Sequence, residues 1–139
     1  MKRLGIFLVG LLMMVNACGL FSKKPPPPPE PTRVVLEFEA SGKINPNVAG
    51  RSSPVAVRIY QLKSYSVFQG AGFIPLFEKD EEVLGQELLH KQELILSPNE
   101  KRTVFFEASD KIRTIGIMAA FRNYDRGQWK TAAGIQKNK

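Results

Sequence analysis

From residue 33 onward, apolar side chains return at every second position along much of the chain. In 33–40, Val34, Leu36 and Phe38 alternate with Arg33, Glu37 and Glu39. That is the period of a strand with one face in a core and the other in water. The same period runs through 54–61, where Val55, Val57 and Ile59 oppose Ala56, Arg58 and Tyr60. A shorter strand is expected to end on Leu94 and Leu96, ahead of Ser97-Pro98-Asn99-Glu100, which has the residues of a turn. Further strands are predicted over 103–108 and 113–121, the latter with Ile115, Ile117, Ala119 and Phe121 on one face. One more is predicted within 127–135. Between the first two strands, 41–54 (SGKINPNVAGRSSP) has the Gly, Asn, Ser and Pro texture of a long loop.

The stretch 62–89 breaks this rhythm. Tyr65, Phe68, Phe73, Leu76 and Phe77 recur at roughly helical spacing, interrupted by Gly70, Gly72 and Pro75. Two short helices are predicted, the second starting near Pro75, because a proline in the first turn gives up an N–H that has no helical partner. An aromatic stripe of this kind packs on a sheet more readily than it lines a ligand pocket. Short strands separated by turn signals, with one helical insert, predict a β-sandwich over 33–139, long enough for a modest core.

The first residues have a different character. Lys2 and Arg3 precede an apolar run over 5–15 (GIFLVGLLMMV). Eleven such residues match the core of a signal peptide and fall short of the ~20 needed to span a bilayer as a helix. The run closes with Val15-Asn16-Ala17-Cys18-Gly19. An aliphatic residue, a spacer and a small residue before Cys resemble the lipobox of bacterial lipoproteins, which are cut before the Cys and lipidated on it. Residues 1–17 then form a lipoprotein signal peptide, and Cys18 carries the covalent lipid. Gly19 stands where Asp would retain many such proteins in the inner membrane, so the outer membrane, facing the periplasm, is the implied location. Residues 18–32 hold the lipidated Cys and a tether with five consecutive prolines, Pro25 to Pro29. Polyproline II over 25–31 would reach on the order of 22 Å at ~3.1 Å per residue. A stalk is expected, with an SH3-like ligand as the other use of such a run.

Charge and chemistry then narrow the function. The chain has Lys+Arg 20 against Asp+Glu 13, a net +7. Cleavage before Cys18 removes Lys2 and Arg3 and no carboxylate, which lowers it to +5. With no zinc-finger spacing or RNA-binding aromatic signature, a nucleic-acid partner is not expected. One Cys and one His rule out a disulfide framework and the common metal sites, so no metal or other cofactor is expected beyond the lipid. No P-loop, HExxH or GxSxG occurs. Glu78, Asp80, Glu81 and Glu82 lack the ligand alternation of a calcium loop and are expected to form a solvated acidic turn. His90 is expected to be a surface or partly buried strand residue. Loop 43–54 is long for a link between neighbouring strands. Asn45, Pro46 and Asn47 offer turn chemistry there, and Arg51 a fixed charge. Composition alone leaves open whether that loop binds anything.

Together the lipobox, the stalk, Ile44-Asn45-Pro46-Asn47, Gly50-Arg51, Ser53-Pro54 and the strand from Val55 to Leu62 resemble the outer-membrane lipoprotein of type VI secretion systems, the TssJ (VasD/SciN) family. Phe68, Phe73 to Phe77, Leu84 to Leu89, Arg122-Asn123-Tyr124-Asp125 and Trp129 add to the likeness. The resemblance implies a mainly β, transthyretin-like β-sandwich with a short helical insertion, preceded by the signal peptide and Pro-rich stalk. It implies a structural protein, not an enzyme, that anchors the trans-envelope complex by binding the periplasmic domain of TssM, and through it the TssL/TssM membrane complex. The loop after the first strand, with Asn45, Pro46, Asn47 and Arg51, is the implied contact. Members of the family usually continue past the Trp segment with a further strand; if the domain over 33–139 lacks that final strand, a sheet edge is left open, and the sequence alone does not decide between the two. Two other readings compete: a periplasm-facing lipoprotein binding a small ligand or peptide near 68–77, and, more weakly, a hydrolase using the acids of 78–82.

Overall fold

The computed structural model describes residues 31–136 and the isolated Pro27. The leader at 1–17, Cys18 and nearly all of the tether lie outside the described residues. The chain runs through β1 (Thr32–Glu39), β2 (Val55–Leu62), α1 (Ser66–Gly70), α2 (Phe73–Leu84), β3 (Leu88–Leu96), β4 (Lys101–Ala108), β5 (Thr114–Ala119) and β6 (Lys130–Gly134). All pairings are antiparallel. β1 pairs with β4 in a two-stranded sheet, and the other sheet has the order β3-β2-β5-β6. The fold is therefore mainly β, with two packed sheets and a helical insertion between β2 and β3.

The alternation read from the sequence places the sandwich core. Val34, Leu36 and Phe38 of β1 and Val104 and Phe106 of β4 pack against Val55, Val57, Ile59, Leu94, Leu96 and Ile115 of the larger sheet. Ile117, Ala119 and Phe121 join the same cluster, as the period of two required. The outer face of the small sheet is less polar than expected. Val35 lies directly opposite Phe105, and the two are 59% and 80% exposed. β3 is longer than the pattern indicated, because Leu88 to Lys91, including exposed His90, are recruited by pairing with Tyr60 to Leu62 of β2.

The second face of β2 is buried too. Tyr60 and Leu62 pack with Phe68, Leu76, Leu84 and Met118, so the helices roof the larger sheet. α2 accepts Pro75 in its first turn, where no N–H is needed, and Gly85, at φ +49°, ends it. Gly116 of β5 lies under the tip of the Phe68 ring, and a Cβ there would sit 3.0 Å from Phe68 Cζ. The glycine is what lets α1 approach the sheet.

The acidic stretch 78–82 is not the solvated turn expected from its composition. It lies within α2, whose backbone leaves helical geometry at Lys79 (φ −142°, ψ 41°). Asp80 follows the break and is only 6% exposed. Its Oδ2 accepts from Tyr60 Oη at 3.0 Å and from Arg58 Nη1 at 3.1 Å. Its Oδ1 accepts from Lys91 Nζ at 3.1 Å and from the Glu81 N–H at 2.8 Å. Arg58 also donates to the carbonyls of Leu76 and Phe77 and to Glu93, and lies 5.4 Å from the Phe77 ring centroid. Burial by itself raises the Asp80 pKa, but the hydrogen bonds from Lys91 and Tyr60 and the charge of Arg58 outweigh it and hold the group below its ordinary value. Burial, and then the Asp80 charge, push Tyr60 well above a normal phenol. Glu78, Glu81 and Glu82 remain exposed.

Gly116→Val should force Phe68 off the sheet and destabilise the domain by about 1–3 kcal/mol, read as a lower urea midpoint; an unchanged midpoint would contradict this packing. Asp80→Asn leaves Arg58 and Lys91 without their shared carboxylate and should cost about 3 kcal/mol, the low end for a broken buried pair because both cations keep some solvent contact. The Asp80 contribution is fully present above its unfolded pKa near ~3.9 and is lost as pH falls from there through the lower folded value. Thermal unfolding from neutral to acid pH should therefore show a steeper loss in the wild type than in Asp80→Asn, and parallel curves would refute the assignment.

Candidate functional site

The link between β1 and β2 has to pass from the small sheet to the large one, and its side chains build that path. Asn45 adopts the left-handed conformation (φ 48°), which Asn tolerates better than most residues. Its amide is buried and uses both its nitrogen and its oxygen. Nδ2 donates to the Pro54 carbonyl at 2.8 Å, and Oδ1 accepts from the Arg122 N–H at 2.9 Å. Both partners are backbone groups of fixed polarity, so the amide orientation is unambiguous. The Asn45 carbonyl accepts from Ser53 Oγ at 2.5 Å, and the Ser53 N–H donates to the Ile44 carbonyl.

A second turn stands on this base. Asn47 Oδ1 accepts from the N–H groups of Ala49 and Arg51, both at 3.0 Å. The Asn47 N–H donates to the Arg51 carbonyl at 2.8 Å. Gly50, at φ +74°, supplies the positive φ that closes the turn. Ser52 Oγ reaches the Gly42 carbonyl at 2.6 Å. The loop is thus internally tied, although it carries no regular secondary structure.

The four residues singled out from the sequence divide into two kinds. The Asn47 side chain holds the loop's own backbone, and the Asn45 side chain ties the loop to the β5–β6 connection. Pro46 and Arg51 face outward, beside Val48, which is fully exposed at the apex. Val48 carried no chemical signal in the sequence; an apolar residue in a polar loop was the only clue. A cleft of about 170 Å³ separates the loop from the β5–β6 connection, lined by Asn45, Pro46, Phe121, Asn123, Arg126 and Gly127.

The aromatic residues after β2 mostly fill space. Phe68 is buried, and Phe73 stacks flat on Tyr124 at 3.9 Å between centroids and meets Trp129 edge-on. Lys130, under this cluster, donates from Nζ to the carbonyls of Phe68, Gln69 and Ala71 at 2.9, 2.7 and 2.7 Å, which closes the C-terminal end of α1. Burial lowers its pKa. Among the described residues, no three His, Cys, Asp or Glu side chains gather into a metal-binding group.

Comparison with known proteins gives a consistent picture. The family model described as type VI secretion lipoprotein, VasD, EvfM, TssJ matches residues 32–139. No curated protein gives a match. Among solved structures, the T6SS lipoprotein TssJ1 of Pseudomonas aeruginosa is 31% identical, with a TM-score of 0.75 over 79% of this chain and 84% of that one. Serratia marcescens Lip, a membrane-bound component of the type VI secretion system, is 25% identical, with a TM-score of 0.74 over 78% and 79%. A chain in the structure of the T6SS protein TssM C-terminal domain from EAEC is 26% identical, with a TM-score of 0.64 over 73% and 79%. The two-sheet fold, its helical roof and the loop all fall inside the matched residues, and the chain belongs to the type VI secretion lipoprotein family that includes TssJ and VasD.

Proposed function

We propose that this lipoprotein is a structural anchor of a type VI secretion system. Lipid on Cys18 holds it in the outer membrane, facing the periplasm, and loop 43–54 binds the periplasmic domain of TssM. Through TssM it is coupled to the TssL/TssM membrane complex. The role is that of a scaffold and not of an enzyme: it needs a fixed surface and a fixed distance from the membrane, and no bond has to break. A lipoprotein Cys with more than one acyl chain anchors stably, since each buried CH₂ contributes roughly 0.8 kcal/mol and one chain alone holds only marginally. The proline run then sets a stand-off on the order of 22 Å.

One observation carries the assignment of the loop. Val48, an apolar side chain fully in water, stands on a turn whose backbone is held by Asn45, Asn47 and Ser53. An apolar residue held rigidly in solvent loses little conformational entropy when a partner covers it. The likeness to a chain in the EAEC TssM structure supports the choice of partner.

Val48→Asp should weaken binding of the lipidated protein to the TssM periplasmic domain by at least about tenfold, roughly 1.4 kcal/mol, with no change in melting temperature because Val48 supports nothing in the fold. Calorimetry in detergent giving wild-type affinity would count against the loop. For the anchor, Cys18→Ser should move the protein from the membrane fraction to the soluble periplasmic one, and retention in the membrane would overturn that role for Cys18.

A further inference from the structure

Arg122 and Arg126 lie on the β5–β6 connection, far beyond the loop in sequence, yet the fold sets them beside it. The Arg122 N–H is one of the two groups held by the Asn45 amide. Arg126 lines the cleft opposite Asn45 and Pro46. Arg51 is tied to Asn47 through both its N–H and its carbonyl, so it belongs to the same rigid unit.

All three arginines are exposed, and none forms an ion pair with another described residue. Elsewhere on the domain several cations are neutralised: Arg58 by Asp80 and Glu93, Lys91 by Asp80 and Glu81, Lys101 by Glu39, and Arg102 by Glu100. Along 40–54 and 120–129, Lys43, Arg51, Arg122 and Arg126 face a single carboxylate, Asp125. Arg122 and Arg126 therefore flank the base of the loop at Asn45 and Pro46, and Arg51 belongs to the same tied loop as the exposed Val48.

We infer, taking the loop as partner-binding as proposed above, that the β5–β6 connection is a second contact element: Arg122 and Arg126 join Arg51 in a basic rim that receives an acidic segment of the partner. Guanidinium groups suit this because each presents forked N–H donors to a carboxylate and stays charged at any physiological pH. The apolar apex supplies contact area, and the rim steers the encounter and fixes its orientation. The clamp at Asn45 keeps the two elements in register, so the surface needs no rearrangement to bind.

The test uses the full lipidated protein in detergent against the immobilised TssM periplasmic domain, with association rates read at two salt concentrations. Arg122→Glu/Arg126→Glu should slow association by about tenfold or more at low salt, and the deficit should shrink between about 50 and 500 mM salt as screening removes the field. Arg33→Glu/Arg113→Glu makes the same charge change on exposed residues away from the loop and should stay close to wild type. If the first pair binds like wild type, or if both pairs lose binding equally, the basic rim is wrong while the loop assignment stands. If the wild-type protein itself does not bind the TssM domain, the proposed function fails, and the rim fails with it. Melting temperatures within a degree or two of wild type, on the order of normal surface substitutions, exclude misfolding as the cause.

Discussion

β2 must bury both of its faces, and the rest of the domain is arranged to meet that requirement. A central strand in an antiparallel sheet ordinarily shows one side to water. Here Val55, Val57 and Ile59 meet the small sheet, while Tyr60 and Leu62 meet α1 and α2. A strand so covered cannot leave polar groups unpartnered, because an unpaired buried donor costs roughly 1–3 kcal/mol. Arg58 and Tyr60 are the polar side chains at risk, and Asp80 satisfies both at once. The break at Lys79 follows from the same need, since it turns Asp80 inward while its neighbours Glu81 and Glu82 stay in solvent. Helix, strand and ion network are one solution to the same problem.

A covered second face also leaves the opposite end of the sandwich free for recognition. The packing that fixes β2 fixes where β5 ends, and β5 delivers the Arg122 N–H to Asn45. The loop is therefore rigid for reasons that lie outside it. Its backbone is held from three sides: by Pro54 at the start of β2, by Ser53 within the loop, and by the β5–β6 connection. A loop fixed in this way presents Val48 and Arg51 with little entropy left to lose, which suits the docking role proposed for it.

Much of the fold was legible in the sequence because a period of two is a local property. The inward faces of β1, β2 and β5 and the position of the long loop follow from alternation and turn residues within a few positions of each other. The helical pair was legible from its aromatic spacing, with Pro75 near the start of α2. The acidic stretch was misread for a physical reason. Four acids in five positions look solvated by composition, and nothing local reveals that one of them is on the buried side of α2, facing Arg58, Tyr60 and Lys91. The first half of β3 was missed because pairing with β2, not hydrophobic alternation, makes it a strand.

For the candidate site the division is sharper. The sequence alone was enough to mark Cys18 as the expected anchor, to mark 43–54 as a loop of unusual length, and to set Asn45, Pro46, Asn47 and Arg51 apart within it. Those are properties of residue type and short-range order. Only the tertiary structure decided that the Asn45 and Asn47 side chains hold backbone, that Val48 is fully exposed, and that the β5–β6 connection with Arg122 and Arg126 lies against the base of the loop. The reason is range. The Asn45 amide bridges backbone groups 9 and 77 residues away, and a contact across that separation exists only once both sheets have closed on a common core.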